Sequence, residues 1–189
     1  RQLCCDPALL YDNYKGGSAK TELVRGLIRN AVENGHKVLL FSQFTTMLER
    51  LYRILEEEKI ASHMLTGATP KEKRIEMVES FAHDEVPVFC ISLKAGGTGL
   101  NLTGADIVIH YDPWWNVAVE NQATDRAHRI GQKNVVTVYK LIAKGTIEEK
   151  IIKLQQMKEE LAEEILSGDE IKTASFQREE LLELLEERF

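Results

Sequence analysis

Residues 37–65 read KVLLFSQFTTMLERLYRILEEEKIASHML, and three segments of different character follow one another in it. Lys37–Phe41 is a short, continuous apolar run, the pattern of a strand buried on both faces. Across Thr45–Glu58 the apolar residues Met47, Leu48, Leu51 and Leu55 recur at helical spacing, which lines them along one face. Ala61–Leu65 returns to strand character and stops at Thr66-Gly67. Strand, helix and strand in this order predict a βαβ unit with its two strands parallel.

The alternation continues in both directions. Upstream, Ser18–Glu33 has a helical pattern ended by Gly35. Downstream, Pro70 opens a helix over Pro70–Phe81, with Thr69 as its cap and Ile75, Val78 and Phe81 as its buried face. Pro87–Ile91 and Asp106–His110 are further strands, separated by the glycine-rich segment Lys94–Gly104. Asn116–Ala127 reads as a helix and Val135–Lys140 as a strand. The predicted fold is therefore α/β, a parallel sheet with helices on both faces. In such sheets functional residues gather beyond the carboxyl ends of the strands. Ser42-Gln43, Thr66–Thr69, Ser92–Asn101 and Tyr111–Asn116 all follow strands and are expected on that edge.

After Gly145 the composition changes. Thr146 caps a long helix from Ile147 to Leu166, with Glu149 placed for a capping box and Ile147, Ile151, Leu154, Leu161 and Ile165 as its stripe. Ser167-Gly168-Asp169 ends it, and Ser175–Phe189 is a second apolar–acidic helix. Fewer than three regular heptads are present, so these helices read as a packed brace and not as a coiled coil. Three units are expected: a lead-in segment over 1–17, the α/β lobe over 18–145, and acidic brace helices over 146–189.

The net charge of -6 is unevenly spread. Residues 146–189 hold 13 acidic and 6 basic side chains; residues 1–145 hold 17 acidic and 18 basic. Nucleic-acid binding needs a local basic surface, so the overall sign does not exclude it. Cys4, Cys5 and Cys90 form no disulfide framework and suit a reducing interior as small buried apolar groups. The five histidines lack metal-ligand spacing, and no metal site is expected. No apolar run reaches the length of a membrane span. The opening RQLCCDPALL has no start methionine and no signal-peptide layout, which suggests a piece excised from a longer chain.

Chemistry concentrates in three stretches. Lys94-Ala95-Gly96-Gly97-Thr98-Gly99 cannot be a GxxxxGKS/T phosphate loop, because its lysine precedes the glycines. Clustered glycines after a strand still bring backbone N–H groups against an anion, or simply make a tight turn. Gln122-Ala-Thr-Asp125-Arg126-Ala-His-Arg129 places Gln122, Arg126 and Arg129 on one helix face or its edge. Paired arginines suit phosphoryl transfer, whose charge spreads over several oxygens, although such pairs on helices are commonly solvated. Tyr111-Asp112-Pro113-Trp114-Trp115-Asn116 offers two adjacent tryptophans, one for the core and one for a surface that nucleic acid could meet.

Taken together these stretches resemble the second RecA-like lobe of superfamily 2 nucleic-acid-dependent ATPases, specifically the SWI/SNF branch. VLLFSQFTTMLERL is similar to its motif IV, LTGATPKEKRIEMVESF to the segment after it, SLKAGGTGLNLTGADIVIHYDPWWN to motif V and its extension, and QATDRAHRIGQ to motif VI. RQLCCDP resembles the entrance to the lobe and GTIEEKI the start of the brace, so the likeness spans about residues 1–166. The resemblance implies ATP with Mg²⁺ as cofactor, the Mg²⁺ ligands lying in a first lobe of the same polypeptide. It implies Arg129 as an arginine finger at the γ-phosphate, Arg126 as its companion, and Gly97, Gly99, Asn101, Gln122 and Asp125 around the nucleotide. It assigns double-stranded DNA to Ser42, Gln43, Lys94 and Trp115. One departure is plain: many relatives carry arginine and aspartate where this chain has Met64 and Thr66, while Arg74 keeps its place.

The function implied is the second motor lobe of an ATP-dependent double-stranded DNA translocase that remodels or displaces DNA-bound proteins. A monomer is expected, in a prokaryotic cytoplasm or nucleoid or else a eukaryotic nucleus. A lobe of a strand-separating helicase and a non-catalytic scaffold lobe are the alternatives.

Overall fold

The computed structural model describes residues 1–96, 100–127 and 134–167, with 161–167 as helix backbone. Five parallel strands form one sheet in the order β2-β3-β1-β4-β5. They are β1 (Val38–Ser42), β2 (Ser62–Leu65), β3 (Val88–Ser92), β4 (Ile107–His110) and β5 (Thr137–Lys140). Val38 pairs with Val88 on one side and Ile107 on the other, so β1 is central. From β1 the chain runs outward to β2, and from β4 it runs the opposite way to β5. The carboxyl ends of β1 and β4 therefore flank the point where winding reverses, the place where such sheets open a crevice.

Helices α1 (Gln2–Cys5), α2 (Ala19–Glu33), α3 (Thr45–Glu57), α4 (Lys71–Phe81), α5 (Leu93–Gly96), α6 (Val117–Thr124) and α7 (Ile147–Ser167) accompany the sheet. Alternate strand residues enter opposite layers, as the period of two requires. Val38, Leu40, Val88, Cys90 and Ile109 pack with Val24 and Ile28 of α2 and with Met47, Leu51 and Leu55 of α3. Leu39, Phe41, Phe89, Ile91 and Val108 pack with Phe81 of α4 and Ala123 near the end of α6. Cys5 and Cys90 are fully buried in the first layer, as small apolar groups.

Ser18 caps α2 through the Thr21 N–H at 3.4 Å, and Gly35 closes the turn after the helix at φ 78°. Several expectations need correction. Thr69 does not cap α4; Pro70 stands at the cap, and the Thr69 hydroxyl accepts from the Thr66 N–H at 3.0 Å, closing the turn instead. Ile75 is 49% exposed, so α4 buries Met77, Val78 and Phe81. The buried phase of α7 is Glu148, Ile151 and Gln155, with Ile147 and Leu154 only half-buried. Leu93–Gly96 is a helical turn within the segment expected to be glycine-rich loop. Among the described residues β5 pairs with β4 alone, and it is exposed throughout. The predicted helix Ser175–Phe189 lies outside the described residues.

Among the described residues no helix is long and apolar enough to cross a membrane.

Candidate functional site

At the reversal point, the loop after β1 meets the loop after β4. Asp112, 1% exposed, receives hydrogen bonds from the Ser42 hydroxyl and the Gln43 side-chain amide, and a longer one of 3.4 Å from the Gln43 backbone N–H. Burial pushes the Asp112 carboxyl above its usual range, and the Ser42 and Gln43 hydrogen bonds oppose that shift. Ser42, which the resemblance places near the duplex, is itself fully buried, and its hydroxyl orients Asp112. Gln43 is half-buried and also donates to the Pro113 carbonyl at 3.3 Å.

The two tryptophans part as expected. Trp114 packs against the second core layer, while Trp115 is 40% exposed. The Arg1 guanidinium lies 5.3 Å from the Trp115 ring, 5.8 Å from Trp114 and 6.0 Å from Phe44, and it donates to the Pro113 carbonyl. Lys94 is exposed on the neighbouring α5. Lys94 and Trp115 are thus open on the same sheet edge, with Gln43 half-buried beside them.

Of the residues expected around the nucleotide, Asn101, Gln122 and Asp125 are exposed. Arg126 departs from the expected helix face. α6 ends at Thr124, Asp125 caps it, and Arg126 lies in the turn beyond. Its carbonyl accepts from the Leu102 N–H at 3.0 Å, which ties the arginine turn to the glycine-rich segment. Arg126 is 5% exposed, so its charge is held inside the fold and not presented on a helix face. Gly97, Gly99 and Arg129 lie outside the described residues.

Several polar groups that sequence reading missed hold this edge in place. Glu120, with no exposed surface, accepts from the Trp114 N–H at 2.6 Å and pairs with Lys140 at 3.1 Å. His110 stacks on Phe41 at 5.5 Å, and its Nε2 lies 2.9 Å from the Thr124 hydroxyl. Burial pushes His110 down to about 4, with Glu120 opposing and Lys140 adding to the shift, so the imidazole is neutral at pH 7. Tyr111 donates to the Cys5 carbonyl at 2.8 Å and lies 3.1 Å from the Thr21 hydroxyl. Lys20 donates to the Tyr111 carbonyl at 3.1 Å and to Glu148 at 2.5 Å, in an ion pair whose side chains are 7% and 1% exposed. Asp6 binds Arg50 at 2.9 Å.

A signal for some of these was present. Lys20, Glu148 and Glu120 fall in phase with Val24, Ile151 and Ala123, so charges stood on buried helix stripes. Among the described residues no group of three or more His, Cys, Asp or Glu side chains could hold a metal ion.

Comparison with known proteins gives this arrangement a family context. Residues 19–131 match the helicase conserved C-terminal domain. The chain is 44% identical over 190 residues to an uncharacterized ATP-dependent helicase of Mycoplasma pneumoniae, covering 98% of this chain and 18% of that protein. It is 40% identical over 169 residues to the chromatin-remodeling ATPase INO80 of Drosophila melanogaster, covering 89% of this chain and 10% of that protein. The solved Sulfolobus solfataricus SWI2/SNF2 ATPase core in complex with dsDNA superposes with a TM-score of 0.71 at 37% identity, covering 89% of this chain and 36% of that one. The chain thus spans less than a fifth of the length of these two relatives.

Proposed function

We propose a motor function on this premise: the chain belongs to the helicase conserved C-terminal domain family and is the C-terminal lobe of a SNF2-family helicase. In our reading it is the second lobe of an ATP-dependent double-stranded DNA translocase that remodels or displaces DNA-bound proteins. One observation carries this reading most: Gln43, Lys94 and Trp115 gather on one carboxyl edge at the reversal point of the sheet, and α6 leads from the β4 loop there to the arginine turn.

ATP would lie between this lobe and a first lobe of the same polypeptide, which would supply the phosphate-loop lysine and the Mg²⁺ carboxylates. Arg129 would meet the γ-phosphate on closure, stabilising charge spread over the transferring oxygens. Given its burial, Arg126 would serve from within the fold as the companion arginine. Asn101, Gln122 and Asp125, with Gly97 and Gly99, would line the nucleotide side. Gln43, Lys94 and Trp115 would track the duplex, mostly at its backbone, which gives little sequence preference and an affinity that falls with salt.

The full-length protein tests this directly. DNA should stimulate ATP hydrolysis, and translocation should displace the third strand of a triplex without separating the duplex. Arg129→Ala should lower turnover by about 10³ while DNA affinity stays near wild type. Unchanged turnover in that variant would favour a scaffold lobe, and duplex strand separation would favour an unwinding helicase. The 189-residue chain alone should show negligible hydrolysis; DNA-stimulated turnover by it would overturn the composite-site reading.

A further inference from the structure

Glu120 is a carboxylate with no exposed surface in the middle of α6, at a position where an apolar side chain would pack without desolvation cost. Its two oxygens reach different parts of the sheet edge. Oε1 accepts from the Trp114 N–H at 2.6 Å, and Oε2 lies 3.1 Å from Lys140 at the end of β5. Helix capping does not account for the first bond. Asn116 already caps α6 through the Ala118 N–H at 3.0 Å, and Trp114 lies two residues before that cap.

The far end of the same helix is fixed separately. Thr124 meets His110 of β4 at 2.9 Å, and the turn containing Arg126 follows at once, tied to Leu102. α6 is therefore a short rod that follows the tryptophan loop, is tied back to it by one buried carboxylate, and runs on into the arginine turn. Trp115, next to the amide that Glu120 holds, is the exposed aromatic of that loop.

We infer that Glu120 is a positioning residue that couples the tryptophan loop to the arginine turn, so that duplex engagement at Trp115 is felt in the nucleotide cleft. The inference rests on the motor reading given above. It differs from a purely structural role, because the coupling runs through the hydrogen bond to one backbone amide and depends on the reach of the side chain. The pair with Lys140 holds the carboxylate against the sheet, and its charge alone does not transmit the movement.

Three variants of the full-length protein separate these roles. Glu120→Gln keeps an oxygen within reach of the Trp114 N–H and loses the charge. Glu120→Asp keeps the charge and withdraws by one methylene. Glu120→Ala removes both. DNA-stimulated kcat should fall by about tenfold or more in the Asp and Ala variants and stay within about threefold in the Gln variant, while KM for ATP and DNA affinity change by less than about threefold in all. If the Ala variant does not fold, the order of Gln and Asp carries the test. Retention by Asp with loss in Gln would make the Lys140 charge pair the active feature and overturn the inference. Equal losses of kcat and DNA affinity would reduce Glu120 to part of the binding surface, with the same consequence. A wild-type protein whose hydrolysis ignores DNA would overturn the motor reading itself; a stimulated wild type with three unaltered variants would overturn only the coupling.

Discussion

Two loops leave the same edge of the sheet and are built very differently. The loop after β2 closes on itself: the Thr66 N–H meets the Thr69 hydroxyl at 3.0 Å, and Arg74 reaches the carbonyls of Thr66 and Thr69 at 3.5 and 3.4 Å. Every one of those partners is local and partly exposed. The loop after β4 takes its partners from across the chain, through Tyr111, Asp112 and Trp114 to the lead-in segment, α2, the β1 loop, α6 and α7. The difference follows from strand position. β2 is an edge strand, whereas β4 lies beside the central one, so its loop is enclosed and each polar group must find a protein partner. Enclosure makes the second loop a place where distant segments register against one another.

The sharpest way to break that contrast is to remove one charge beneath the β4 loop. Glu148→Ala leaves Lys20 buried beside Tyr111 and should cost about 3–5 kcal/mol in urea unfolding. The paired replacement Lys20→Met with Glu148→Leu should recover most of that loss, since it leaves no uncompensated charge. A second break is Asp112→Ala, which strands the Ser42 hydroxyl and the Gln43 amide; about 1–3 kcal/mol is expected by the same measurement.

Acid provides a third. The imidazole of His110 is held at about 4 in the fold against an ordinary value near 6.5, so the unfolded chain binds the extra proton first. Stability from this group is whole above pH 6.5 and is lost as pH falls towards 4, by about 2 kcal/mol between pH 7 and pH 5. His110→Gln should flatten that part of the pH–stability curve; an unchanged slope would place the loss elsewhere. The β2 loop should respond least. Thr69→Ala removes one partly exposed hydrogen bond and should shift stability by no more than about 1 kcal/mol. A larger effect there would erase the distinction between the loops.

The architecture was legible where physics is local. KVLLF, PVFCI and DIVIH each lie on strands within a residue or so of the predicted limits, because a run apolar on both faces has few other homes in a chain this size. The end of α6 was not legible. Its residues up to Ala127 have acceptable helix propensity, yet past Thr124 the Arg126 and Ala127 N–H groups turn to Ala123 and Thr124, and the Arg126 carbonyl accepts from Leu102, some two dozen positions earlier. The site divides along the same line. Trp115 could be read as an outward aromatic from its place after a strand, while the Trp114–Glu120 contact depends on how the intervening turn folds back. Ser42 was placed near the duplex by resemblance, while its hydrogen bond to Asp112 of the loop after β4 joins two segments distant in sequence.

The Lys20–Glu148 pair has a consequence for synthesis. Lys20 is made early and Glu148 late, with 128 positions between them. A nascent chain that has not yet extruded α7 holds the rest of the sheet but has no Glu148 carboxylate for an ammonium group destined for the interior. Until then the Tyr111 carbonyl is the one of its two described hydrogen-bond partners already made, and the ion pair that neutralises Lys20 forms only once α7 has emerged.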